Sequence, residues 1–381
     1  MPGEATKART CRLPALAFRC GLLLLGAFAN AAVTAETLLV VRKTDNAVDF
    51  MDPGSGLRLA TVPTGQAPHE ISVAPDGRRA AVSNYGTRDA PGTSISIVDL
   101  EQPGEVRRIE LALHTRPHGV AWYAADRLAV TTEGSQSLLI VDPGAGRIVQ
   151  AIGTAQATSH MVAVSPDATR AYVTNIGSGT TTVIDLATGR KLTDLPTGNG
   201  SEALALTPDG RELWVAAREA GEIAVVDTGA LAITARIPAP GMPIRIAFSP
   251  EGRNALVTCA RSSEIAAFDR ARRTEINRRK LEVPQAPGAD QRPFARLAPG
   301  SALPVGLLWS SDGRTAYVAA TMGDRVLRID ASTLDARGAI AVGGEPDGLA
   351  LTATLPKAVC HGCKPLPDEE PSPALPRDLS R

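Results

Sequence analysis

Residues Ser159–Thr193 read SHMVAVSPDATRAYVTNIGSGTTTVIDLATGRKLT, and this stretch decides the fold. It divides into four short strands joined by turns. The pattern predicts strand A over His160–Ser165, a turn at Pro166-Asp167, and strand B over Arg170–Asn175. Ile176–Thr180 is a Gly/Ser loop, strand C covers Thr181–Leu186, and Thr188-Gly189 turns into strand D at Arg190. β-Branched side chains crowd the strands because they pack well on a pleated surface. Gly, Pro, Asp and Asn crowd the turns because they supply unusual backbone angles or bond their own backbone.

The same frame recurs along the chain. Strand A returns as His69–Ala74, His118–Tyr123, Glu202–Thr207, Ile244–Ser249, Val305–Ser310 and Asp347–Thr352, seven copies in all. The Asp that closes strand C returns as Asp52, Asp99, Asp142, Asp185, Asp227, Asp269 and Asp330, at spacings of 47, 43, 43, 42, 42 and 61. A four-strand unit repeating every forty-odd residues marks a β-propeller. Thr37–Thr64 supplies strands B, C and D with no A before them, and Asp347–Thr352 supplies an A with nothing after it. The two fragments complete one another. The expected fold is therefore all-β, a seven-bladed propeller over residues 36–354, closed by three N-terminal strands and one C-terminal strand. Closure removes the sheet edges that would otherwise pair with other chains.

Ala171-Tyr172-Val173-Thr174-Asn175 carries the letters of the YVTN-repeat family of bacterial β-propellers, and the chain resembles that family over about residues 37–353. Ser165-Pro166-Asp167, Thr207-Pro208-Asp209-Gly210 and Val183-Ile184-Asp185-Leu186 look like its other fixed points. The resemblance implies the propeller but not one activity, since that family is functionally mixed. Related seven-bladed propellers include lactone hydrolases and proteins of haem d1 and quinoprotein pathways.

The chain of 381 residues balances 40 basic against 40 acidic side chains, so electrostatics gives no case for nucleic acid or an anionic membrane surface. Residues 1–35 read as a secretory signal. Lys7, Arg9, Arg12 and Arg19 precede the apolar run Gly21–Ala32, which is short for a membrane span, and Val33-Thr34-Ala35 offers a cleavage site before Glu36. A retained N-terminal anchor is the other reading of that run. The expected location is periplasmic or extracellular, as a monomer without a stable membrane span, binding a small ligand or a periplasmic protein. The wide spacing after Asp269 holds a basic run, RARRTEINRRK, and then the Pro/Gly/Ala-rich Leu281–Ser301. That predicts an ordinary strand D and a long loop, either a tolerated insertion or a lid over the ring. Residues 355–381, with six prolines, read as a flexible tail.

His69, His118 and His160 share one phase of the repeat, the first residue of strand A. Strand A lines a propeller's central channel, and its start faces the mouth. The equivalent positions elsewhere are Glu202, Ile244, Val305 and Asp347. One arc of the mouth thus carries an acid, three imidazoles and an acid, and the opposite arc is apolar. Imidazoles with carboxylates hold zinc, copper or iron, or trade protons as acid and base. They serve equally well as a polar ring bonded to neighbouring backbone. His114, in a loop entering strand A, is placed to reach the same face. The B-to-C loops bring Arg42, Lys43, Asn84, Tyr85, Arg88, Glu133, Asn175, Arg218, Glu219 and Arg261 to this side. Of these Arg42, Asn84 and Asn175 join the candidate ligand-binding set. The two asparagines also suit turns, and the loop charges also suit plain solvation. In the tail, Cys360, His361 and Cys363 form a disulfide in an oxidising compartment or a labile copper or zinc site.

Three functions follow as alternatives. One is a non-enzymatic binding module centred on the three histidines. A second is an enzyme, either a metal-dependent, lactonase-like hydrolase or an oxidoreductase of a haem d1 or quinoprotein pathway. The third is a structural surface-layer or adhesion propeller.

Overall fold

The computed structural model describes residues 36–357. The signal-like segment and Cys360, His361 and Cys363 lie outside the described residues. Among the described residues, twenty-eight strands form seven separate four-stranded antiparallel sheets. Six sheets take consecutive strands. The seventh joins Pro346–Thr352 to Thr37–Arg42, Ala47–Met51 and Arg58–Pro63, with Thr37 facing Thr352. We number this closing sheet blade 1 and the rest 2 to 7 in chain order. The inner strands are Pro346–Thr352, Pro68–Val73, Pro117–Ala124, Ser159–Val164, Ser201–Leu206, Pro243–Phe248 and Pro304–Trp309. Each packs against the next around a complete ring.

The core lies between blades. Seven apolar clusters each combine residues of two neighbouring sheets, such as Trp214 and Val225 of blade 5 with Val257 and Phe268 of blade 6. A blade has two apolar faces, so it is stable only when stacked. Second strands such as Arg170–Asn175 are accordingly buried from the second residue on. Outer strands such as Thr274–Lys280 are largely exposed. The basic run on that outer strand is paired rather than bare: Arg270 meets Asp209 and Glu212, and Arg278 meets Glu264 and Glu275.

The insertion is a long loop, as its spacing implies, with two 3-10 turns at Ala289–Gln291 and Pro293–Arg296. It is anchored by its own apolar cluster, in which Ala289, Ala298 and Leu303 meet Met242, Ile244 and Met322. Arg292 clamps it to Asp324 through two contacts of 2.8 Å. No helix among the described residues is long and apolar enough to cross a membrane.

Candidate functional site

The pairing of first and second strands slips at the mouth end of every blade. The ladder skips between Pro68 and Ile71, Pro117 and Val120, Ser159 and Val162, Ser201 and Ala203, Pro243 and Arg245, and Pro304 and Leu307. Blade 1 shows the same break beside Pro346. Irregularities of this kind re-aim side chains. His69, His118, His160, Glu202, Ile244, Val305 and Asp347 all sit at them and all line one cavity. The residue after each of them differs between blades. In two blades that residue is charged, and Arg245 of blade 6 binds Glu70 of blade 2, three blades away across the channel. In others it is glycine, because the next blade's backbone occupies the space. A Cβ on Gly119 would lie 2.8 Å from the His160 carbonyl oxygen, and one on Gly348 would lie 2.6 Å from that of His69.

Threonines of the second strands fix these positions. Thr131 Oγ1 accepts the Gly119 N–H at 2.8 Å and donates to the His160 carbonyl. Thr174 accepts the Met161 N–H at 3.1 Å and donates to the Glu202 carbonyl at 2.7 Å. Thr258 reaches the Val305 carbonyl likewise, and Thr321, in the 3-10 turn that follows the second strand of blade 7, reaches the Pro346 carbonyl. One hydroxyl thereby ties a blade's inner strand to the next.

The polar arc is a buried network. His160 Nδ1 lies 2.6 Å from Glu133 Oε1, and its Nε2 lies 3.2 Å from Glu202 Oε1, close but off the line of a good hydrogen bond. Burial opposes a charge on His160. Glu202 and Glu133 outweigh it and raise the imidazolium to about 9. Burial likewise opposes charge on Glu202, but His160 and Arg218, the latter at 2.6 Å, hold its carboxyl low. The His118 ring stacks 3.7 Å from that of His160. Burial, reinforced by His160 and His69, keeps His118 neutral, well below the usual histidine range. His69 lies 3.3 Å from Asp347, which also meets Lys43 at 3.3 Å. Burial and Lys43 lower His69 to about 3 despite Asp347. Burial pushes the Glu70 carboxyl up to about 7 against the pull of Arg245.

The cavity has a volume of about 770 Å3, in the range of small-molecule sites. Its other wall is apolar: Met242, Ile244, Leu303 and Val305, with Phe294 and Leu297 from the insertion. Phe294 covers the Lys43 ammonium at 4.1 Å, and Arg116 stacks over Tyr85 at 5.2 Å.

The structure brings together His69, His118, His160, Glu202 and Asp347, which the repeat phase singles out. It places the other three candidates elsewhere. Asn84 is inside blade 2, accepting from the Gly65 N–H and donating to Ser94 and Ser96, and Asn175 is inside blade 4, bonded to Ser159, Thr180 and Thr182. Each pairs across strands, so neither side chain reaches the mouth. Arg42 turns back onto Asp45 and Asp49 and does not line the cavity. His114 does not line it either. Conversely Lys43 and Glu133, expected to suit solvation, are buried or nearly so at its wall, because their loops curl over the channel. Glu70 and Arg245 escaped the sequence reading because strict alternation would turn them away from the channel. The available signal is a charge in an inner strand where other blades carry Gly, Ala or Met.

A model of the cytochrome D1 heme domain matches residues 123–276. No curated protein matches the chain. Solved structures share the fold at low identity. A hydrazine synthase from Kuenenia stuttgartiensis has 20% identity and a TM-score of 0.64, over 78% of this chain and 93% of that one. A functionally unknown protein from Desulfotomaculum acetoxidans has 14% identity and a TM-score of 0.69, over 84% and 99%. A periplasmic gluconolactonase from Pseudomonas aeruginosa has 20% identity and a TM-score of 0.65, also over 84% and 99%.

Proposed function

We propose that this chain is a ligand-binding propeller whose channel mouth holds one small amphipathic organic molecule. The observation that carries this reading is the division of the cavity wall. One arc is charged and internally compensated; the other, built partly by the insertion, is apolar. A molecule with an apolar body and an anionic or hydroxylated edge satisfies both. The partial match to a haem domain makes a tetrapyrrole the first class to test, and the residues present fit it. His69 would hold the iron, since its ring is kept neutral and its Nδ1 is turned to Asp347, the arrangement that orients a metal-binding imidazole. Ile244, Val305 and Phe294 would face the macrocycle, and Arg88 and Arg116 at the rim would meet its carboxylates. A bound haem would supply iron-centred redox and small-ligand chemistry. The YVTN-like repeats and the signal-like leader support a periplasmic or extracellular location for this binding role, and N-terminal sequencing of the protein from its host should then begin near Glu36.

Titration with haemin and with anilinonaphthalene sulfonate tests the reading. Each should bind once per chain, each should displace the other, and Val305→Glu should weaken both at least tenfold. Absence of saturable binding by either probe, or binding indifferent to Val305→Glu, would sink it.

A second reading rests on one observation. His118 and His160 are in contact, one held neutral and the other held protonated, and such a split suits a base and an acid. Opening of δ-gluconolactone that is lost in both His118→Ala and His160→Gln would move the assignment to a hydrolase.

A further inference from the structure

We propose that His118, Glu133 and His160 hold one divalent transition-metal ion at the cavity wall, and that His69 is not one of its ligands. One donor atom from each of the three lies within 4.8 Å of the others. Donors around a tetrahedral ion are roughly 3.3 Å apart at bond lengths of about 2.0–2.1 Å, so small side-chain rotations close the site. The His69 ring lies 5.0 Å from that of His118, but its Nδ1 is turned to Asp347 and it is not among the clustered donors.

The surroundings of the donors argue for a site rather than a chance cluster. An ion held between His160 Nδ1 and Glu133 Oε1, now 2.6 Å apart, would leave His160 Nε2 facing Glu202. That is the carboxylate–histidine–metal arrangement that fixes ring orientation. Glu202 is itself held by Arg218 at 2.6 Å, and its carbonyl by Thr174. The other oxygen of Glu133 accepts a hydrogen bond from the Tyr85 hydroxyl at 2.5 Å, which leaves Oε1 for the ion. His118 Nδ1 is buried without any partner, a polar atom that costs free energy unless it is filled. Two imidazoles and one carboxylate suit zinc, with copper, iron and nickel as competitors, and disfavour magnesium and calcium. Three protein donors also leave a position open toward the cavity, as in sites where the ion meets a ligand or water. The inference does not rest on which organic molecule the cavity takes, because the ion is measured alone.

The test uses the full chain with Cys11, Cys20, Cys360 and Cys363 changed to serine, so that thiols outside the propeller do not compete. Chelator-stripped protein is titrated with zinc chloride by calorimetry, and the retained ion is counted by elemental analysis. The expected result is one zinc per chain. Glu133→Gln and His118→Ala should each weaken binding about a hundredfold, and the conservative Tyr85→Phe and Glu202→Gln about tenfold, with melting curves showing every variant folded. His69→Ala should bind as tightly as the parent. No zinc retained by the parent, unchanged affinity in Glu133→Gln, or a loss in His69→Ala equal to that in His118→Ala would each overturn the proposal.

Discussion

His160 keeps its proton because two carboxylates flank it, and that proton has a measurable stability signature in the metal-stripped protein. Its folded value is raised from 6.5 to about 9, so its contribution is complete below about pH 6.5 and is lost as pH rises through about 9. The shift corresponds to on the order of 3 kcal/mol. Urea midpoints should fall across that window, and His160→Gln should flatten the fall while lowering stability at neutral pH. An unchanged slope in the variant would assign the pH dependence elsewhere. Glu70 and Arg245 make a second case. Removing Arg245 leaves the Glu70 carboxyl buried without its partner and forces it to take up a proton, so Arg245→Met should cost about 3 kcal/mol, while the joint change Glu70→Leu with Arg245→Leu should recover most of it. A double variant no more stable than the single one would mean that the pair is itself a net stabiliser.

At the scale of the element, the repeating strands were legible because their signals are local. Strand A, expected over His160–Ser165, runs Ser159–Val164, and strand B falls on Arg170–Asn175 as expected. Turn residues and β-branched runs set those limits without tertiary help. The slipped pairing at the mouth was not legible, since it arises only when a neighbouring blade packs alongside. That is why Glu70 and Arg245 stayed hidden, and why Asn84 and Asn175, polar at strand ends, looked available when they are consumed inside their own blades. The insertion stood out by its spacing, but its contact with Lys43 needed the fold. Two predictions belong here. Phe294→Ala should lower stability by about 1 kcal/mol through the lost cation–π contact, and should weaken haemin and anilinonaphthalene sulfonate binding by opening the apolar wall. Gly119→Ala should push the strand bearing His160 outward, costing about 1–3 kcal/mol in urea unfolding and shifting the His160 imidazole resonances in NMR. Unmoved His160 resonances would show that the close approach does not position the ring.

For the whole molecule, closure by strands from both ends is the organising constraint. Without Pro346–Thr352 the strand Thr37–Arg42 would expose a free edge beside the channel. A chain ended before Pro346 should lose its cooperative melt and elute as aggregates in size-exclusion chromatography. A synthetic peptide of residues 346–354 should restore the elution volume of the parent. A truncated chain that melts and elutes like the parent would show that the ring tolerates an open seam.

The Arg245–Glu70 bridge ties together two inner strands that lie three blades apart. With such a bar across it, the channel is expected to act as a cup rather than a pipe. A guest that enters at the mouth should then leave by the door it came in. Arrival and departure are therefore governed by the same rim, and the insertion, which forms one side of that doorway, sets the residence time of a guest as much as its affinity.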